Sequence, residues 1–290
     1  MGWCTTHNLD EFTAEAGAYL RSRPADNTLL LAALADIGDA PADALFGWLA
    51  RDGGVRGAFI HLPPHPVLTG GMAPEAAATL ADTLARLSVP VRGIDASARA
   101  AEAFGTAWRQ RTGQAGKVRS HSLVYRLTGV GLGDVGVTPS GQLRSATEAD
   151  REVVTDWLGA FGREVGDLSG TPGSTADSLI SRGGVLFWEV PRPGTLSVPV
   201  AMVVVTPQVA GAVRIAGVYA PPELRHHGYA SAVLVAACRA VLESGVSEVL
   251  LLTDASSPLN NNLRQRLGAE PAGDRLILFF TQAAASASRR

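Results

Sequence analysis

Apolar positions along the chain follow two rhythms, helical spacing and strict alternation, and the succession of the two occurs twice. Residues 9–22 and 26–37 have helical spacing, with Pro24 between them and Asp26 or Asn27 placed to cap the second stretch. Alternation then predicts strands at 45–49 and 55–62 around the Asp52-Gly53-Gly54 turn, with 61–66 irregular. A helix over 74–87 carries proline at an early position, followed by a short strand at 90–94, a helix at 97–111 and a strand at 119–127.

The second series opens with a strand at 143 and a helix over 148–164, whose apolar face carries Val153, Val154, Trp157, Leu158 and Phe161. A turn at 171–173 leads to a helix over 174–180 capped by Ser174, then to a hairpin of strands 185–190 and 198–206. Val213, Ile215, Gly217 and Tyr219 alternate as a central strand that Pro221 and Pro222 terminate. From Ala230 the spacing is helical, with Val233, Leu234, Ala237 and Val241 on one face and Gly245 placed to end it. A buried strand at 248–252, a short helix at 260–267 and a last strand at 275–281 complete the series.

The expected class is therefore α/β (α+β), with two domains of similar element order. We place them at 1–128 and 142–282, joined by the Gly-rich linker 129–141 and followed by a frayed tail at 283–290. At 290 residues, two domains are the natural division, and 46% hydrophobic content supplies a core for each. A formal charge of −2 excludes a global attraction to nucleic acid or anionic lipid, and no helix-turn-helix or zinc-ligand spacing points to DNA. Lys117 is the only lysine, so positive charge is almost entirely guanidinium. Two cysteines build no disulfide framework, and no apolar run approaches the ~20 residues of a membrane span; a cytoplasmic location is the expectation. His61 and His65 flank prolines without a third ligand at useful spacing, so no metal is expected.

The chemistry concentrates in Arg225-His226-His227-Gly228-Tyr229-Ala230, between the central strand and the following helix. First-turn N–H groups have no intrahelical acceptor and sit at the positive end of the peptide dipoles, so a small-residue turn there suits a phosphate. An ordinary strand-to-helix turn, in which Gly228 only relieves strain, has the same spacing.

Arg-x-x-Gly-x-Ala after Val-Tyr-x-Pro-Pro-Glu resembles the acyl-CoA loop of the GNAT superfamily of N-acetyltransferases. Leu251 to Pro258 with Leu267-Gly268 resembles its second signature, and Leu143 to Asp150 its opening strand and helix. The resemblance covers roughly 142–280 in the right order. It implies two GNAT-like domains, each a mixed, mostly antiparallel sheet flanked by helices, the first a degenerate copy that walls the acceptor site. It further implies acetyl-CoA as cosubstrate and a small-molecule amine as acceptor. Under it, Val218, Tyr219 and Ala220 meet the pantetheine, while His227, Gly228, Tyr229, Ala230 and Ser231 hold the diphosphate with Arg225 and His226 beside them. Asn261 matches the family's asparagine that approaches the cofactor, though it suits a helix cap equally well.

Arg264 departs from the pattern, standing where many members carry a tyrosine proposed to protonate the leaving thiolate; an arginine cannot donate that proton. No acid lies on the central strand, so Glu164 and then Glu189 are the candidate general bases, each also readable as a solvated surface charge. Two rivals remain open at this point: a non-catalytic acyl-CoA sensor or scaffold of the same fold, and a transferase using another acyl carrier such as aminoacyl-tRNA.

Overall fold

The computed structural model describes residues 2–38, 40–128, 139–165, 172–191, 194, 196–256 and 267–281. The first series runs β1 (Trp3–Thr6), α1 (Leu9–Ser22), α2 (Pro24–Asp36), β2 (Leu45–Arg51), β3 (Gly54–His61), β4 (Val67–Thr69), α3 (Pro74–Arg86), β5 (Gly93–Ala96), α4 (Ala98–Thr112) and β6 (Ala115–Thr128). The second runs β7 (Gln142–Ser145), α5 (Arg151–Val165), α6 (Pro172–Ser181), β8 (Val185–Val190), β9 (Val198–Val205), β10 (Ala212–Tyr219), α7 (Tyr229–Glu243), β11 (Glu248–Asp254) and β12 (Glu270–Thr281).

Two compact units result. The first takes in Met1–Val124, Thr253–Pro258 and Pro271–Arg290; the second takes in Tyr125–Leu252 and Leu259–Glu270. Strand order is β1-β2-β3-β4-β5-β12 in the first and β7-β8-β9-β10-β11 in the second, while β6 is divided, with Ala115–Val124 counted in the first and Tyr125–Thr128 in the second. In each, one internal pair is parallel, β4 with β5 and β10 with β11, while the other recorded pairs are antiparallel. The mixed, mostly antiparallel architecture expected for both halves is thus present.

Side-chain periodicity explains the packing of the first unit. Phe12, Ala16 and Leu20 line one face of α1, and Phe12 lies 5.4 Å from Phe46 of β2. Leu45 and Leu49 point the other way, into a core with Leu80 and Leu84 of α3 and Phe104 and Trp108 of α4. Leu276 and Leu278 of β12 join that core, and Phe280 stacks on Phe104 at 5.9 Å. This packing explains why β12 counts with the first unit, whereas the sequence division ran 142–282. The second unit has its own core, in which Val154, Ala176, Leu179, Phe187, Met202 and Tyr219 meet.

Several element bounds differ from the expectations for local reasons. β1 and β4 were not anticipated: β1 buries only Trp3 fully, and β4 has three residues, too few to show a period. The strand expected at 90–94 occurs at Gly93–Ala96, beyond Pro90. His61 ends β3 and is buried, so it is not part of an irregular segment. The second helix begins at Pro24, whose fixed φ suits a first helical position, so Asp26 and Asn27 lie inside it. Likewise α6 begins at Pro172, two residues before the start expected at Ser174. Residues 129–138 of the linker, most of the helix expected at 260–267 and the tail 283–290 lie outside the described residues.

Candidate functional site

β10 is the strand from which the site is built. Its ladder with β9 pairs Ile215 with Val205 and then Gly217 with Val204, a bulge that leaves Ala216 as the extra residue. On its other side the parallel ladder with β11 is recorded from Ala212↔Glu248 to Ile215↔Leu251. Both strands continue past that point, so among the described residues the backbone edge of 216–219 has no recorded ladder partner on that side and faces a notch.

The absence of a side chain at Gly217 sets how closely α5 approaches that strand. A Cβ there would lie 2.9 Å from Cε1 and 3.0 Å from Cζ of Phe161, tighter than ordinary contact. With that clearance, Phe161 and Trp157 stand 6.5 and 5.9 Å from the ring of Tyr219, and Trp157 meets Phe187 edge-on at 5.6 Å. An aromatic wall therefore rises from the end of β10.

Pro221 ends the strand, a 3-10 turn over Pro222–Leu224 follows, and Arg225 is extended. His226 adopts a left-handed φ of 66° and Gly228 one of 81°; Gly228 is also the N-cap of α7. A non-glycine residue at such a φ carries strain that the surrounding turn must hold. The first helical bond runs from Ala232 N–H to Gly228 O at 2.9 Å, so the N–H groups of Tyr229, Ala230 and Ser231 precede any i−4 acceptor. Gly228 supplies no capping side chain, and the first turn holds no acid. The turn thus presents amides and a positive dipole end with no internal anion set against them.

Arg225 is partly exposed, but its side chain is held by neighbours on three sides. Its Nε donates to Ala220 O at 3.0 Å, its Nη2 donates to Glu164 Oε1 at 2.5 Å, and its Cζ lies 5.9 Å from the Tyr219 ring centroid. The bond to Glu164 holds the guanidinium's proton even more tightly than usual. Burial, then the Glu164 charge, pushes the Tyr219 phenol up, so it stays a neutral hydroxyl. His227 Nδ1 lies 2.8 Å from Arg225 O, and its ring stacks on Tyr229 at 5.6 Å.

Of the expected site residues, Val218, Tyr219, Ala220, Arg225, His226, His227, Gly228, Tyr229, Ala230 and Ser231 fall on one continuous β10–turn–α7 segment, and Glu164 is drawn to it by Arg225. Asn261 and Arg264 lie outside the described residues. Glu189 occupies a different setting. It is buried on β8, and its Oε1 accepts from Arg144 Nε at 2.8 Å, while the other guanidinium nitrogens donate to both oxygens of Asp150 at 2.7 and 3.0 Å. That trio ties the edge strand β7 to the start of α5, where Thr147 and Asp150 form a capping box.

Arg144, with the Thr147 backbone and hydroxyl helping, lowers the Asp150 carboxyl from 3.8 to about 2. A carboxylate so depressed adds stability that is fully present above the unfolded value near 3.8 and is lost as pH falls toward 2. Asp150→Asn is expected to remove about 2 kcal/mol at pH 7 and to flatten the fall in stability between pH 4 and 2, read by urea unfolding across that range.

The first unit carries the same β-strand–turn–helix arrangement at β4 and α3, but there polar groups of Thr69 and Gly71 are already taken, and Pro74 removes one first-turn N–H. Gly71 N–H donates to Asn27 Oδ1 at 2.8 Å, and Tyr19 donates its hydroxyl to Gly71 O. Beyond Leu68↔Asp95 on the parallel pair β4–β5, the Arg275 guanidinium donates to Thr69 O at 3.0 Å, to Asp95 O at 2.8 Å and to the Asp95 carboxylate at 2.7–2.9 Å.

No protein-family model matches the sequence, and no curated protein matches it either. Solved structures do. A GNAT-family acetyltransferase from Colwellia psychrerythraea superposes with a TM-score of 0.62 at 14% identity, covering 97% of this chain and 99% of that one. A GCN5-related N-acetyltransferase from Sphaerobacter thermophilus gives 0.60 at 17% identity, over 95% and 94% of the two chains. A tandem GNAT protein from the clavulanic acid biosynthesis pathway gives 0.61 at 17% identity, over 98% and 99%. At these identities the likeness is one of fold, and the chain has the two-domain GNAT fold.

Proposed function

We propose that this protein is an acyl-CoA-dependent N-acyltransferase with its donor site in the second unit, most simply transferring acetyl from acetyl-CoA to the amine of a small molecule. The observation that carries this reading is the pairing of an open strand edge at 216–219 with an uncapped helix N-terminus at Gly228, both on one segment. The donor supplies an activated acyl thioester; everything else falls to the chain.

The first-turn amides of Tyr229, Ala230 and Ser231 suit the diphosphate, and the free edge of Val218 to Ala220 suits the amides of the pantetheine arm, which would then bond as an added strand. Such a placement holds the thioester at the end of β10, beneath the Trp157–Phe161–Tyr219 wall, which excludes water from the reacting carbon. The neutral amine attacks the thioester carbon; the C–N bond forms, the C–S bond breaks, and the thiolate leaves to be protonated as free thiol. Glu164 is the carboxylate assigned to take the amine's proton, since it lies beside Tyr219 and Arg225, whereas Glu189 is committed to Arg144. Among the described residues no helix is long and apolar enough to cross a membrane, and an acceptor met in the cytoplasm fits this reading.

Titration calorimetry with CoA tests the assignment, followed by thiol release and mass spectrometry with acetyl-CoA and a panel of amines. One CoA per chain is expected, because in the first unit Asn27, Tyr19 and Arg275 occupy polar groups of Thr69 and Gly71 at the end of β4, and Pro74 removes a first-turn N–H of α3. The absence of CoA binding overturns the reading, and binding without transfer to any amine or peptide turns it into a sensor. Two CoA per chain would show that the first unit's turn is open after all.

A further inference from the structure

We infer that the Arg225–Glu164 pair is a donor-operated latch. In the free protein Arg225 occupies Glu164; a bound diphosphate takes over the guanidinium and thereby releases the carboxylate for the acceptor amine. The inference rests on the donor-site reading above and adds to it a physical link from the diphosphate to the candidate base: the partner exchange at Arg225.

Three features of the geometry point to it. The pair is weakly held for its position. Its side chains are 38% and 45% exposed, and an ion pair so placed contributes little net stability. A diphosphate offers the same guanidinium more charge and a bidentate acceptor, so exchange of partners is downhill. Next, Arg225 lies three residues before the Gly228 cap, next to the amides that suit the phosphate, and the turn is already set by the left-handed His226 and Gly228. Only the side chain has to swing, giving up Ala220 O and the Tyr219 ring together with Glu164. Finally, Glu164 is in the last turn of α5, where the helix end is negative and a carboxylate calls for a cation. Arg225 serves as that cation in the free protein, and the acceptor's ammonium is the natural successor, passing its proton to the carboxylate before attack.

A scaffold pair and a latch make opposite predictions for one variant. If Glu164 merely aimed Arg225 at the phosphate, Glu164→Gln would weaken CoA binding and slow transfer together. A latch instead requires Glu164→Gln to tighten CoA by about 2- to 5-fold, because a competing partner is gone, while the turnover number for acetyl transfer falls. Arg225→Gln is expected to weaken CoA by about 10- to 100-fold, and adding Glu164→Gln to it should change affinity no further. A pantetheine probe, which carries no phosphate, should bind wild type and Glu164→Gln alike. Both positions are exposed, and matching circular dichroism and melting curves confirm that the variants fold. Unchanged or weakened CoA affinity in Glu164→Gln overturns the latch while leaving the donor site standing. No CoA binding by the wild-type protein removes the donor site itself, and the latch with it.

Discussion

Replacing Arg275 by alanine is expected to cost about 3–5 kcal/mol of unfolding free energy, enough to threaten the first unit as a whole. The side chain is 8% exposed and Asp95 opposite it 16% exposed, so the pair is largely out of water. Its guanidinium satisfies the Asp95 carboxylate and two backbone carbonyls, Thr69 O and Asp95 O, where the parallel pair β4–β5 runs out. Truncation strands a desolvated charge, takes the guanidinium donor from Thr69 O, and leaves Asp95 O the 3.3 Å bond from the Thr69 hydroxyl. Arg275→Lys keeps the charge but loses the fork that reaches both strands, and should recover less than half of the loss. Arg275→Met with Asp95→Leu removes the stranded charge as well and should lie well above the Arg275→Ala single variant. Urea unfolding at pH 7 measures the series. A loss under 1 kcal/mol in Arg275→Ala would mean that water reaches these carbonyls freely.

Arg275 also shows where sequence reading stops. The alternation at 275–281 marks a strand, and the strand is there, but period two is silent about which sheet a strand joins. That choice lies in the fit of Leu276, Leu278 and Phe280 to Phe104 and Trp108, residues about 170 positions away. The helices α1, α3, α5 and α7 were legible because their apolar stripes are long. β4 was not, since three residues followed by two glycines carry no period. Asn27 gave the opposite difficulty: its residue type suggests a cap, yet it is buried at 1% exposure and spends its amide on Leu20 O and the Gly71 turn.

The candidate site divides in the same way. The turn from Arg225 to Ser231 was readable because a helix N-terminus is local, set by a few adjacent residues and their φ values. The notch was not, because it depends on where the β11 ladder stops, and neither was the bulge at Ala216, although an isolated glycine in a strand (Gly217) is the usual sign of one. Arg225 and Glu164 were each singled out from the sequence, as a phosphate ligand and as a base. Nothing in residues 61 positions apart announces that they hold each other.

Ala230→Glu is expected to lower CoA affinity by about 100-fold or more while leaving the fold as stable as before, or slightly more so. The two effects have one cause. Ala230 is in the first turn of α7, where the N–H groups and the helix dipole create positive potential. A glutamate there is favourable to the helix, by a few tenths of a kcal/mol to about 1 kcal/mol, because it supplies the anion that Gly228 as N-cap does not. For the same reason it competes with, and repels, any phosphate brought to Tyr229, Ala230 and Ser231; two like charges ~4 Å apart near a surface repel by about 4 kcal/mol. Ala230→Gln, with similar bulk and no charge, separates crowding from electrostatics and should lose far less affinity. Calorimetry with CoA and a melting curve, run on the same samples, read both halves. Stability that falls together with affinity would trace the loss to a disturbed helix, and full affinity in Ala230→Glu would move the diphosphate away from α7 altogether.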